Sequence, residues 1–366
     1  MREIRATWMR GGTSKCWVFR SEDLHVPGLT RDEVLLRVFG SPDHRQVDGV
    51  GGGSSTTSKA VILNPSDDPD VDVDYTFAQV GIDEMTVDWG SNCGNCSAVV
   101  ASFAVREGWV SSSDPVTTVR VFNTNTGQVI VQELQTPDGE LVEKADTMIP
   151  GVPFPGTPVR MGFVDPAGRT TGRLFPSGQP CDDLPDGEDT IAATLVDAGA
   201  PVVVVRSADL GLEGQPTPER VDTDPDLLRR LDRIRRQGAV AMGLAPTPSA
   251  AARAVPKLAV VSSAAQNTTG LGVLMLSMGR AHPAIPITGS VALTLAAAEP
   301  GTLVAELVGE RPGPELALST AAGVVSTYVA SADGRPVVGA TRTYRRLSEG
   351  VVFLPYPDID VDGDAS

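Results

Sequence analysis

A chain of 366 residues is long enough for two domains or one large one. Its 46 acidic residues against 30 basic ones leave a formal charge of −16, which argues against a general surface for nucleic acid or anionic membranes. With 41% hydrophobic but only 5% aromatic residues, the core has to be built from Val, Leu, Ala and Ile, and an anionic ligand has to be held by a local site.

The first stretch, MREIRATWMRGGTSK, has no apolar segment of the signal-peptide kind, and no run approaches a membrane span. A cytoplasmic protein with four reduced cysteines is therefore expected. Gly11 and Gly12 allow a ligand close to the backbone, and Thr13, Ser14 and Lys15 add donors. KCWVF (15–19) reads as a strand and RDEVLLRVFG (31–40) as an amphipathic helix. The glycine-rich DGVGGGSSTTSKA (48–60) fails the phosphate-loop pattern, because Lys59 follows Ser58 rather than Gly and Ala60 stands where a magnesium-holding hydroxyl is needed. What remains is a loop leading into the strand SKAVIL (58–63), with Lys59 either a surface charge or a substrate-facing ammonium. DVDVDYTFAQV (70–80) and TTVRVF (117–122) read as further strands. GNCSAVVASFAVREG (94–108) is apolar nearly all round, so as a helix it must be buried on every side. In the second half, APVVVV (200–205), PKLAVV (256–261) and GVVSTYVA (323–330) read as strands, 224–243 as an amphipathic helix and GSVALTLAAAE (289–299) as a second buried helix. The last residues, 357–366, read as an acidic tail rather than a calcium loop.

The chain echoes itself. Arg20-Ser21-x-Asp23-Leu24 returns as Arg206-Ser207-x-Asp209-Leu210, the strand at Lys59 returns at Lys257, and the stretch at Cys93 returns at Thr288. The order is the same and the offsets are similar, which favours two similar domains, each with β-strands wrapped round one buried helix.

Cys93 and Cys96 admit several readings. Zinc needs four ligands, and neither Cys16, Cys181 nor the histidines His25, His44 and His282 supply ligand spacing, so no metal is expected. A redox pair fits the local strand–Cys–helix order but not the surrounding topology. Cys96, one turn inside an apolar helix, reads as packing. Cys93 at the helix start is a candidate catalytic thiol, with the N–H groups of Gly94 and Asn95 as an anion site. The echo supplies a second helix end at Thr288, Gly289 and Ser290. Two such ends facing one cleft would hold a carboxylate from two sides, and a thiol and a lysine across it would form a proton-transfer pair.

The motifs MRGGTSK, QVDGVGGGSSTTSKAVI, YTFAQV, NCGN, DPAGRTTGRLFPSG, PKLAVVS, SMGRAH and TRTYRRLSEGVVFLP together resemble the PrpF family, nearly end to end. This family includes 2-methylaconitate cis–trans isomerases, methylitaconate isomerases and 4-oxalomesaconate tautomerases. The resemblance implies an α+β, diaminopimelate epimerase-like fold: two pseudo-symmetric domains, each wrapping β-strands round a central helix, with the site between them. The domains would be 1–182, completed by strand 345–356, and 183–344. Carried over by motif, Lys59 and Cys93 are the catalytic pair, in an acid–base order left open. Thr13, Ser14, Lys15, Ser58, Asn92, Gly94, Asn95, His282, Thr288, Gly289 and Ser290 are the candidate substrate-binding residues. The family is cofactor-free, so no cofactor is expected, and the ligand would be a small polycarboxylate. A homodimer and an aconitase-like partner are further expectations. Departures from the family pattern are Cys16 where Gly is usual, Cys96 where a larger apolar residue is common, LSTAAG (318–323) where an HPSG-like motif is usual, and Thr288 where related epimerases keep a second cysteine. Two other functions compete: an accessory protein of an aconitase-like enzyme, and an amino-acid racemase, which Thr288 weakens.

Overall fold

The computed structural model describes residues 2–90, 93–253, 255–264, 270–277, 279–282, 284–309, 313–332 and 334–355. Asn92 and the acidic tail lie outside them. The chain divides into two compact units: unit 1 holds Met1–Thr147, Pro155–Val159 and Arg342–Ser366, and unit 2 holds Met148–Phe154 and Arg160–Thr341.

In unit 1, β1 (Arg2–Gly11) and β2 (Ser14–Arg20) form a hairpin. Helix α1 (Arg31–Phe39) opens with a capping box, in which the Thr30 hydroxyl accepts from the Glu33 N–H and the Glu33 carboxylate accepts from the Thr30 N–H. Strand β3 (Lys59–Pro65) lies parallel to β2, and β4 (Val73–Val80) lies antiparallel to β3 with the short β5 (Val87–Asp88) at its side. The chain then makes a 3-10 turn, Cys96–Val99, that runs into α2 (Val100–Arg106). Strand β6 (Val116–Asn123) is parallel to β4, and β7 (Gln128–Gln135) is antiparallel to β6. Strands β1, β2, β4, β6 and β7 all touch the helical segment 96–106. That wrap explains its composition: every residue from Cys96 to Ala104 is at most 4% exposed. Each buried Val or Phe side chain contributes about 1.5–3 kcal/mol, and small residues let the strands approach.

Inside that wrap the helical ladder is interrupted. The Ala101 N–H would ordinarily donate to the Ser97 carbonyl, four residues back. Instead the buried Gln132 of β7 stands between them: its Oε1 accepts from Ala101 N–H at 3.1 Å and its Nε2 donates to Ser97 O at 2.8 Å. An inserted side chain of this kind separates a 3-10 start from an α continuation.

Strand β8 (Thr157–Val164) carries the chain from unit 1 into unit 2. There β9 (Asp182–Asp186), β10 (Asp189–Ala198) and β11 (Ala200–Arg206) are successively antiparallel. Helices α3 (Pro218–Asp222) and α4 (Pro225–Ala241) follow. Strand β12 (Lys257–Ser263) is parallel to β11, and β13 (Leu271–Ser277) is antiparallel to β12 and carries the two-residue β14 (Arg280–Ala281). After α5 (Ile287–Ala296) and α6 (Leu303–Val308), β15 (Glu315–Thr320) is parallel to β13, and β16 (Gly323–Ala332) and β17 (Arg335–Leu354) are successively antiparallel. Beyond Thr341, β17 belongs to unit 1 and pairs with β1. Helix α5 packs on β10, β11 and β16. Its apolar residues are buried on all sides of the helix, as the sequence requires.

The pairing pattern is the same in both units. Along β1-β2-β3-β4-β6-β7 and along β10-β11-β12-β13-β15-β16 it runs antiparallel, parallel, antiparallel, parallel, antiparallel. The sequence echoes fall at matching places: Arg20 and Arg206 end the second strand, and Lys59 and Lys257 open the third.

Candidate active site

Lys59 is held at the first position of β3, directly opposite Gln79 of β4. It is 8% exposed. Its Nζ donates to Gln79 Oε1 at 2.6 Å and lies 4.8 Å from the centre of the Phe77 ring. Gln79 is itself fixed, since its Nε2 donates to the Ser58 carbonyl at 2.7 Å. An ammonium on a four-carbon stem is thus given one direction by an amide and an aromatic face.

Cys93 is half-buried and acts as a capping residue for the turn that follows. Its carbonyl accepts from Ser97 N–H at 3.0 Å and from the Tyr75 hydroxyl at 3.2 Å, and its Sγ accepts from Cys96 N–H at 3.4 Å. Behind it stand two fully buried sulfurs, Cys96 and Cys16. A hydrogen bond toward Cys96 weighs on the Cys93 thiol, and one toward Cys16 weighs on the Cys96 thiol. That hydrogen bond to Cys96, together with burial, pushes the Cys93 thiol well above the ordinary thiol range, while the Lys59 charge and the Cys96 N–H pull it back. Burial foremost, then the bond to Cys16, pushes Cys96 up as well. A thiol in these surroundings keeps its proton. The N–H groups of Gly94 and Asn95 find no acceptor among the described residues.

The expected role of Gly11 and Gly12 changes. A Cβ on Gly11 would lie 2.3 Å from the Asn95 carbonyl oxygen, and one on Gly12, at φ +51°, would lie 2.2 Å from Asn95 Oδ1. What these glycines admit is therefore the Asn95 turn, whose side-chain Nδ2 also donates to Thr13 Oγ1 at 3.0 Å. The structure brings Thr13, Asn95, Gly94, Cys93 and Lys59 into one part of unit 1. It does not add Lys15, whose Nζ lies 4.5 Å from the centre of the Trp8 ring. Ser14 is buried, and Ser58 is fully buried with its hydroxyl donating to Val80 O at 2.9 Å. In unit 2, Thr288 is 8% exposed in the first turn of α5. A Cβ on Gly289 would press on the end of the Met275 side chain, 2.3 Å from its Sδ. Ser290 is fully buried and donates to Ile287 O, and His282 Nδ1 accepts from the Ala284 N–H.

Two organising residues carried no signal of their own in the sequence. Gln79 orients Lys59, and only its place opposite Lys59 across a strand pair could have revealed it. Gln46 sits at φ +49°, and its amide donates to Ser58 Oγ at 2.7 Å and accepts from Gly53 N–H at 2.9 Å, shaping the glycine-rich loop. Among the described residues no group of three or more His, Cys, Asp or Glu is arranged to hold a metal ion. No helix is long and apolar enough to cross a membrane.

Comparison with solved structures defines the class. The chain superposes on methylitaconate-delta-isomerase with a TM-score of 0.86 at 35% identity, covering 96% of this chain and 95% of that one. A hydroxyproline epimerase from Agrobacterium vitis, at 15% identity and a TM-score of 0.54, shares the fold alone. The fold is the diaminopimelate epimerase-like one, as the motifs and echoes led us to expect. The chain belongs to the PrpF family, whose model matches residues 1–355. Among its relatives, the 2-methyl-aconitate isomerase of Cupriavidus necator is 38% identical over 96% of this chain and 97% of its own length. The 4-oxalomesaconate tautomerase of Pseudomonas putida is 39% identical over 94% of both.

Proposed function

We propose that the protein is a cofactor-independent isomerase that moves a proton within an unsaturated di- or tricarboxylic acid, of the methylaconitate, methylitaconate or oxalomesaconate type on which its relatives are named to act. The observation that carries this reading is the pairing in unit 1 of an oriented lysine with a thiol that keeps its proton. Lys59, entering the step as the neutral amine, is the acceptor: it takes a proton from carbon next to the conjugated system and becomes the ammonium, and the charge left on the substrate spreads into the carboxylate. Cys93 is the donor: it returns a proton to another carbon of that system, and the double bond moves or changes geometry. Afterwards Lys59 holds the extra proton and Cys93 lacks one, so proton transfer between them or through solvent resets the pair. The N–H groups of Gly94 and Asn95 supply donors for a substrate carboxylate. The hydrogen bonds of Gln79 and the Phe77 ring serve to keep Lys59 in place.

The test is proton NMR of the purified protein with a panel of these acids in deuterated water. Isomerisation of at least one acid, with deuterium entering at the allylic carbon, is expected. No turnover and no exchange across the panel would sink the proposal.

A further inference from the structure

Cys16 and Cys96 carry no proton in that chemistry, yet both are fully buried, and Cys96 lies against the thiol that does. Strand β2 turns Cys16 inward, and the 3-10 turn places Cys96 behind Cys93. The Cys96 N–H donates to Cys93 Sγ at 3.4 Å, and the bond from Ser97 N–H to Cys93 O winds Cys93–Ser97 into one helical turn. Residues three apart on such a turn are neighbours, their Cβ atoms about 5–6 Å apart, from which a small shift reaches the Cβ separation of a disulfide, about 4 Å. Cys93 is the outermost sulfur of the three, the one a soluble oxidant meets first.

We propose that Cys93 and Cys96 form a reversible oxidation site, in which a peroxide oxidises Cys93 and Cys96 captures it as a disulfide. In the first step the Cys93 sulfur takes oxygen from hydrogen peroxide. The O–O bond breaks, sulfur is oxidised by two electrons to the sulfenic acid, and one water leaves. In the second the Cys96 sulfur attacks the Cys93 sulfur; the S–S bond forms, the S–O bond breaks, and the departing hydroxide leaves with the Cys96 proton as a second water. A dithiol restores both thiols by exchange. Because the interaction with Cys96 and then burial hold the proton on Cys93, the first step is slow at neutral pH and quickens as pH rises. The disulfide blocks the proton donor but spares it from irreversible oxidation. Its formation rests on the packing alone; its effect on activity rests on the function proposed above.

Peptide masses test it. The full chain is reduced, exposed to hydrogen peroxide, alkylated with iodoacetamide and cut with trypsin. Cleavage after Lys59 and Arg106 places Cys93 and Cys96 together on peptide 60–106, and cleavage after Lys15 and Arg20 places Cys16 on another. The expected result is an unalkylated 60–106 peptide about 2 Da lighter than its reduced form, since two hydrogens are lost. Dithiothreitol should reverse both this and the loss of activity. In Cys96→Ala and Cys96→Ser, peroxide should instead leave sulfinic acid on Cys93, with less than about a tenth of the lost activity recovered. The proposal is overturned if wild-type 60–106 gains oxygen without losing 2 Da, if it is linked to the Cys16 peptide, or if wild type and the Cys96 variants recover alike. A disulfide that forms and reverses with no change in activity would leave the oxidation site standing and remove Cys93 from the reaction.

Discussion

Cys93 keeps its proton because of what surrounds it. A hydrogen bond toward Cys96 and then burial disfavour the thiolate, against an opposing pull from Lys59. Since the folded value lies above the ordinary thiol range, the thiolate fraction at neutral pH is smaller than for a free cysteine. Iodoacetamide should therefore label Cys93 more slowly than it labels free cysteine at pH 8, with a rate still rising beyond pH 9; a rate already level by pH 8 would show a thiolate instead and reverse the assigned roles. Cys93→Ser should lower turnover by about 10²–10⁴-fold, the usual worth of a positioned acid or base. Gly12→Ala meets the Asn95 side chain at a φ of +51° that alanine resists. It should therefore displace the Cys93 turn and cost activity while circular dichroism stays unchanged; full activity would mean the turn does not position the thiol. Lys59 and Cys93 stood out in the sequence as candidates because a lysine after a glycine-rich loop and a cysteine before a buried helix are unusual company. Gln79 and Gln46 were not, because a glutamine's value lies in which carbonyl and N–H it reaches, and that depends on strand register.

The helical segment 96–106 shows what an element gains and loses by total burial. Its apolar composition was visible, but its start as a 3-10 turn was not, because the cause lies on β7. Gln132→Leu would leave the Ala101 N–H and the Ser97 carbonyl buried without partners, at about 1–3 kcal/mol each. A loss of about 2–5 kcal/mol in urea unfolding is expected; a loss below about 0.5 kcal/mol would mean the helix re-forms its own bond, in the range of an ordinary surface substitution. In unit 2, Asp186 at the end of β9 holds Arg230 and Arg233 of α4 at 2.8 and 2.7 Å. Burial pushes this carboxyl up, but the two guanidiniums outweigh it and hold it below the usual carboxylate range. A depressed folded value means that its stabilisation is present above the unfolded value of about 3.9 and fades as pH falls through the folded one. Asp186→Asn should therefore destabilise the protein at pH 7, and its deficit relative to wild type should shrink as pH falls below about 3.9. An equal deficit at pH 7 and at acid pH would make its role one of packing rather than charge.

At the scale of the whole chain, two halves could be read from three echoes of a few residues each, because those residues sit where the topology repeats: the end of the second strand, the start of the third, and the head of the central helix. Strand pairing could not be read that way, since β2 lies beside β3 across a long connection containing α1 and the glycine-rich loop. The acid–base order proposed here was equally closed to sequence, because it is argued from the surroundings of the Cys93 thiol, Cys96 foremost. That order is the centre of the account, and proton exchange without turnover tests it. With an isomerisable acid in deuterated water, Cys93→Ser should still let Lys59 remove a proton, so deuterium enters at the allylic carbon while the double bond stays in place. Lys59→Ala should show neither exchange nor isomerisation. If Lys59→Ala exchanges that position freely while Cys93→Ser does not, the thiol is the acceptor, and the roles given to the pair are contradicted.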